Sequence, residues 1–160
     1  MPGRLLPDLG PRGEGWFLVQ VAILGGVALA GSLGPAWSGP PRVVGVAFGA
    51  ILIGSGGLLA GRGVVDLREN LTVFPKPRSD ARLVVTGAYG LARHPIYGGL
   101  IVGAFGWGLV TASPAALACA SALAIFFGLK SSREERWLVE QLDGYREYRS
   151  RTHRFIPWLF

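Results

Sequence analysis

The 160-residue sequence is poor in the residues that build disulfide frameworks, metal centres and soluble surfaces. A single cysteine, Cys119, leaves no disulfide to form within the chain. Two histidines, His94 and His153, beside that one cysteine make a His/Cys zinc site an unfavourable reading, so no metal is expected. Charged residues account for only 16% of the chain, where a soluble domain carries about a quarter, which argues against an ordinary soluble domain. The length allows one domain, 1–160. What charge there is leans basic, with a net +6. In a chain this apolar, that excess reads as the cytoplasmic face of a membrane protein rather than a nucleic-acid surface.

The apolar residues are gathered into four blocks: 16–33, 43–60, 96–112 and 114–129. A helix needs roughly 17–25 apolar residues to cross the hydrocarbon of a bilayer. The first two blocks meet that length and the last two sit at its short end. Ser113-Pro114 separates the last two so tightly that they form a helical hairpin, with proline in the first turn of the fourth helix. The expected fold is an all-α membrane bundle with helices near 16–34, 42–61, 95–112 and 114–142, a helical tail and no sheet of consequence.

The basic residues orient these spans. Arg4 and Arg12 precede the first block, and Arg42 alone separates the first from the second. Arg62, Arg68, Lys76, Arg78, Arg82 and Arg93 lie between the second and third. Lys130, Arg133, Arg136, Arg146, Arg149, Arg151 and Arg154 follow the fourth. The alternation predicts both termini in the cytoplasm, with the protein in the inner (plasma) membrane. Arg4, Arg12, an apolar run and Ala28-Leu29-Ala30 also resemble a cleavable signal peptide. Cleavage there would leave three spans with the first loop and the tail on opposite sides, so the first block is read as a retained span.

Small residues four apart recur at Gly45/Gly49, Ala50/Gly54, Gly57/Gly61 and Gly99/Gly103, the spacing that lets helix backbones approach closely in lipid. Packing within one bundle is the preferred reading over a dimer motif. The oligomeric state is left open. Inside the blocks no ionisable residue occurs, and Lys130 stands at an edge. Ion-coupled transport needs such groups within the bilayer. Chemistry is therefore expected at the cytoplasmic boundary, in two segments.

The first segment, 66–97, holds Arg93 and His94 at the mouth of the third helix, where Pro95 suits the helix start. A helix N-terminus beside a guanidinium and an imidazole is a plausible anion site. A membrane-surface arginine and histidine is the plainer alternative. The second segment, 133–157, holds Glu134 and Glu135, which a helix sets about 100° apart, so one faces the bundle and the other turns away. Asp143-Gly144 ends that helix, and Tyr145 and Tyr148 follow at nearly one turn's spacing, suited to an aromatic wall. A solvated amphipathic tail on the membrane is the competing reading.

Taken in order, Leu71-Thr72-x-x-Pro75-x-Pro77, Leu83-Val84-x-x-Gly87-x-Tyr89, Arg93-His94-Pro95-x-Tyr97-Gly98, an apolar hairpin, Glu134-Glu135, Tyr145-x-x-Tyr148 and Arg154-x-x-Pro157 resemble the isoprenylcysteine carboxyl methyltransferase and phospholipid methyltransferase superfamily. The resemblance covers about 66–157. It implies S-adenosylmethionine as methyl donor and no metal. It puts Arg93, His94, Tyr97 and Gly98 in one donor-binding element and Glu134 and Glu135 in a second, with Glu135 slightly preferred. Tyr145, Tyr148, Arg149 and Arg154 then belong to the tail over the cofactor. The implied function is methyl transfer to a lipophilic acceptor at the cytoplasmic face, from the membrane lipids or a small lipophilic molecule. A carboxylate acceptor is preferred, since it is already ionised and needs a positioning cation, for which Arg154 and Arg149 are the candidates. A phospholipid or amine N-methyltransferase is the alternative acceptor class. A non-enzymatic lipid-binding or scaffold protein is the alternative of another kind.

Overall fold

The computed structural model describes residues 7–33, 38–39 and 41–156. Arg4 and Pro157, both named above, lie outside the described residues. Among these residues six helices follow in order: α1 (Glu14–Ser32), α2 (Pro41–Leu67), α3 (Ala88–Leu91), α4 (Pro95–Val110), α5 (Pro114–Gln141) and α6 (Tyr145–Arg151). A 3-10 turn, Arg68–Asn70, closes α2. No strand is present among the described residues, only an isolated parallel bridge between Ala92 and His153. This is the expected all-α membrane bundle. Helices α1, α2 and α5 are long and apolar enough to span a bilayer, and α4 is a shorter apolar helix.

Helix α2 runs past its expected end. The apolar block stops at Ala60, but the helix continues to Leu67. The extension is held by an ion pair one turn apart, Arg62 Nε to Asp66 Oδ1 at 3.0 Å. Asp66 Oδ2 also accepts from the Ala88 amide at 2.8 Å, which ties the end of α2 to the start of α3. Charge therefore ended the hydrophobic block without ending the helix.

The core lies between α1, α4 and α5, where Trp16, Val27, Ile101, Ala104, Ala120, Leu123, Phe126 and Phe127 pack together. Helix α2 packs on the other side of α4 through glycines. Gly49, Gly56 and Gly63 are the buried residues of α2, and they recur every seventh position rather than every fourth. A methyl group added at Gly49 or Gly56 would strike the carbonyl oxygen of Gly106 or Gly99 on α4. A side chain added at Gly54, Gly57, Gly61 or Gly103 would meet nothing within 4 Å, although the Gly103 backbone itself lies against Gly56. Of the expected small-xxx-small pairs, Gly99 and Gly103 thus both lie against Gly56, whereas the side-chain positions of Gly57 and Gly61 face away from the interface. A repeat of seven keeps the contact on one line along two helices crossing at a shallow angle.

Large apolar side chains such as Leu18, Leu29, Val43, Phe48, Ile51, Leu58 and Ile125 are exposed around the outside, the surface a bilayer would cover. The α4–α5 turn is pinned at the far end. Ser113 Oγ caps α5 by accepting from the Ala116 amide at 3.1 Å, and donates to the Ala30 carbonyl of α1 at 2.8 Å. Pro114 occupies the first turn of α5, where a missing N–H costs no helical bond.

Candidate functional site

The charged end of the bundle is where the polar groups gather. Pro95 starts α4 and leaves His94 as its N-cap. The tail then runs alongside residues 92–94. The Arg93 amide donates to the His153 carbonyl at 2.8 Å and the His94 amide to the Arg154 carbonyl at 2.9 Å. Gly98 is needed for this approach, because a side chain there would collide with the Phe155 backbone. Gly144, in the left-handed conformation at φ 80°, turns the chain from α5 into α6.

Behind this strand-like contact lies an ion cluster. Glu135 is 1% exposed. Its Oε1 lies 2.8 Å from Arg93 Nε and 3.3 Å from His94 Nε2. Its Oε2 lies 3.1 Å from Arg149 Nε and 3.8 Å from Arg154 Nη2. The Arg93 guanidinium also donates to the Arg149 carbonyl at 3.1 Å and to the Thr152 carbonyl. One carboxylate thus joins α4, α5 and the tail. The Arg93 guanidinium expected at an anion site is spent on this clasp.

Beside the cluster, a cavity of about 340 Å³ opens between the end of α2, the 70–84 segment, α3, α4, α5 and α6. Its wall includes Tyr89, Tyr97, Lys130, Glu134, Tyr145 and Tyr148, with Arg93 and His94 at its edge and Val64, Leu67, Ile96 and Leu138 as apolar lining. Glu134 Oε2 accepts from the Tyr97 hydroxyl at 2.8 Å. The Tyr97 ring is stacked between Phe127, at 4.4 Å between centroids, and His94, at 5.4 Å. Tyr145 and Tyr148 meet edge to face at 5.7 Å, and the Tyr148 hydroxyl donates to the Tyr89 carbonyl at 2.6 Å. Burial pushes the Tyr89, Tyr145 and Tyr148 hydroxyls above the usual phenol range, so all three are neutral donors at physiological pH. The Tyr145 hydroxyl is buried without a hydrogen-bond partner among the described residues.

The site residues expected from the sequence therefore divide in two. Tyr97, Glu134, Tyr145 and Tyr148 stand on the cavity wall with Arg93 and His94. Glu135, Arg149 and Arg154 meet in the cluster, and Gly98 is a packing position. The two arginines expected to hold the acceptor do not line the cavity; Arg154 turns to Ser132 Oγ at 3.2 Å as well as to Glu135. Between the two glutamates, the one on the cavity wall is Glu134, not the slightly preferred Glu135. Sequence reasoning also missed Tyr89, Lys130 and Gln20 as lining residues. A signal for two of them existed: Gln20 is the lone strongly polar side chain of its block, and Lys130 the first charge after the fourth.

Residues 44–143 match the phospholipid methyltransferase family model. The cobalt-zinc-cadmium resistance protein of Cupriavidus metallidurans is 36% identical over 83 residues, 51% of this chain and 38% of that protein. Methanethiol S-methyltransferase 1 of Bradyrhizobium diazoefficiens is 38% identical over 71 residues, 44% of this chain and 24% of that protein. The nickel-cobalt-cadmium resistance protein of Alcaligenes xylosoxydans xylosoxydans is 34% identical over 83 residues, 51% of this chain and 39% of that protein. The matches therefore span well under half the length of these relatives. No group of three or more His, Cys, Asp or Glu suited to a metal ion occurs among the described residues. The family match covers 100 of the 160 residues, from the first turn of α2 to just past the end of α5, and the chain belongs to the phospholipid methyltransferase family.

Proposed function

We propose that this chain is an S-adenosylmethionine-dependent membrane methyltransferase, with the donor held in the cavity and a lipophilic acceptor methylated at the cytoplasmic face of the inner membrane. The observation that carries the reading is the wall of that cavity: one carboxylate, Glu134, among four tyrosines. A sulfonium centre has no N–H to donate. It is recognised by negative charge and by the faces of aromatic rings. Glu134 and the Tyr145 and Tyr148 rings supply both, and the Tyr145 hydroxyl is a donor without an acceptor among the described residues. These residues fit the donor.

When bound, S-adenosylmethionine supplies a methyl group on a positively charged sulfur. The chain's part is to hold that methyl in line with the acceptor and to keep water out, tasks for which positioning matters more than acid–base chemistry. The Glu135 clasp fixes the tail across α4 and α5, and with it the α6 tyrosines on the cavity wall. Val64, Leu67 and Ile96 give the cavity an apolar side for a lipophilic acceptor. The acceptor reading stays with a carboxylate. The relative named as a methanethiol S-methyltransferase adds thiols to the acceptors worth testing, beside aminolipids.

The test is calorimetric titration of S-adenosylmethionine into the full chain in detergent, followed by transfer of its labelled methyl group to carboxylate, thiol and amine acceptors. Saturable binding with transfer to one class is the expected result. Absence of both binding and transfer would leave a lipid-binding or scaffold role instead.

A further inference from the structure

Two cations line the cavity without a part in the clasp or in the donor wall, Arg82, which is exposed, and Lys130, which is buried. Lys130 is 1% exposed. It lies on α5 where the apolar block ends. Its Nζ donates to Gln20 Oε1 of α1. The same nitrogen stands over the Tyr97 ring, 5.0 Å from its centroid. No carboxylate lies within ion-pair distance of it among the described residues. A buried ammonium is costly unless paired, and one amide oxygen and one ring face are weak compensation for a full charge. An ionisable group at the edge of a membrane span is by default a candidate for function. Here it lines a cavity that already contains an opposite charge.

The two charges are ordered along the cavity. Lys130 and Glu134 are one helical turn apart on α5, about 6 Å of rise. Tyr97 lies between them: its hydroxyl donates to Glu134 and its ring lies under Lys130. The carboxylate end suits a cationic donor. The ammonium end, next to Gln20 and deeper toward the apolar blocks, suits an anion. We propose that Lys130 is the acceptor-binding residue of this cavity, and that it selects lipophilic substrates methylated as anions, a carboxylate or a thiolate, against amines. This rests on the donor reading above and names the acceptor class for it.

The charges balance without a base. The acceptor anion contributes the electron pair of its new bond to the methyl carbon. The pair of the broken carbon–sulfur bond stays on the donor sulfur. One cation and one anion become two products without the reacting charges; a carboxylate acceptor needs no proton transfer, whereas a thiol first releases its proton to solvent and is bound as the thiolate. The neutral ester or thioether has then lost its attraction to Lys130 and is free to leave into the bilayer. An amine acceptor would instead meet an ammonium, which opposes its approach when protonated and, when it is neutral, donates to the lone pair that the reaction needs.

Binding is measured first, with no methyl donor present. Hexanoate, hexanethiol and hexylamine are titrated calorimetrically into the full chain in detergent, for the wild type and for Lys130→Met, Lys130→Arg and Gln20→Glu. Lys130→Met should weaken hexanoate by roughly ten- to a hundredfold, the loss of one hydrogen bond to a charged group. Lys130→Arg keeps the charge and should retain most of the affinity. Gln20→Glu supplies Lys130 with an internal partner and should also weaken hexanoate, which keeps the test valid if Lys130→Met fails to fold. Turnover then separates the two anion sources, carboxylate and thiol. Equal hexanoate and hexanethiol affinity in wild type, Lys130→Met and Gln20→Glu overturns the proposal, as does tighter binding of hexylamine than of either anion. Failure of the wild type to bind S-adenosylmethionine overturns the donor reading instead, a different result from a separate titration.

Discussion

Glu134 and Glu135 are neighbours in sequence and on one helix, yet they meet opposite surroundings. Glu135 is surrounded by Arg93, His94, Arg149 and Arg154, although its Oε2 meets the last two as ion pairs and has no hydrogen-bond partner among the described residues. Glu134 has one tyrosine hydroxyl and an open cavity. A step of about 100° around α5 turns a carboxylate from a clasp that holds the tail into a group that can face a cation. The difference is instructive because both are glutamates one residue apart on the same helix. Function here is assigned by what each oxygen already touches.

The largest expected effect comes from breaking the clasp. Glu135→Gln leaves several cations around a neutral amide, and removing one partner of a buried pair costs about 3–5 kcal/mol. Thermal unfolding in detergent should show a large loss of stability, and limited proteolysis should release the tail. A Glu135→Gln protein as stable as the wild type but unable to bind S-adenosylmethionine would reverse the roles of the two glutamates.

Glu134→Gln should do the opposite. Its thermal transition should stay near that of the wild type, since the amide oxygen can still accept from Tyr97. S-adenosylmethionine affinity should fall by roughly ten- to a hundredfold, the loss expected when a charged contact becomes neutral.

The smallest effect belongs to the wall that joins the two regions. Tyr148→Phe removes one hydrogen bond to the Tyr89 carbonyl and should cost about 1 kcal/mol of stability. Because burial raises the pKa of that hydroxyl in the folded state, its contribution is complete below the ordinary phenol value near 10 and declines as pH rises beyond it. The difference between wild type and Tyr148→Phe should therefore be flat through neutral pH and shrink only in strong alkali.

Much of the fold was legible from the blocks themselves. Pro95 and Pro114 marked two helix starts and Gly144 marked a turn, because each residue constrains the backbone locally. The end of α2 was not legible, since the Arg62–Asp66 pair prolongs the helix after hydropathy has run out. The glycine interface was legible in composition but not in period: which glycines touch depends on how α2 lies on α4. At the site, Arg93, Tyr97, Glu134, Glu135, Tyr145 and Tyr148 were all found from motif order. Their division between clasp and cavity was not, because the rotation of α5 is set by its packing on α1 and α4 and not by residue spacing. Lys130 and Gln20 meet across 110 positions of sequence. Neither is informative without the other.

The account turns on the separation of the two glutamates, and one paired measurement tests it most directly. S-adenosylmethionine affinity by calorimetry and the thermal transition in detergent are measured together for wild type, Glu134→Gln and Glu135→Gln. The account predicts that Glu134→Gln loses affinity at near wild-type stability while Glu135→Gln loses stability. Unchanged S-adenosylmethionine affinity in a folded Glu134→Gln protein would contradict it.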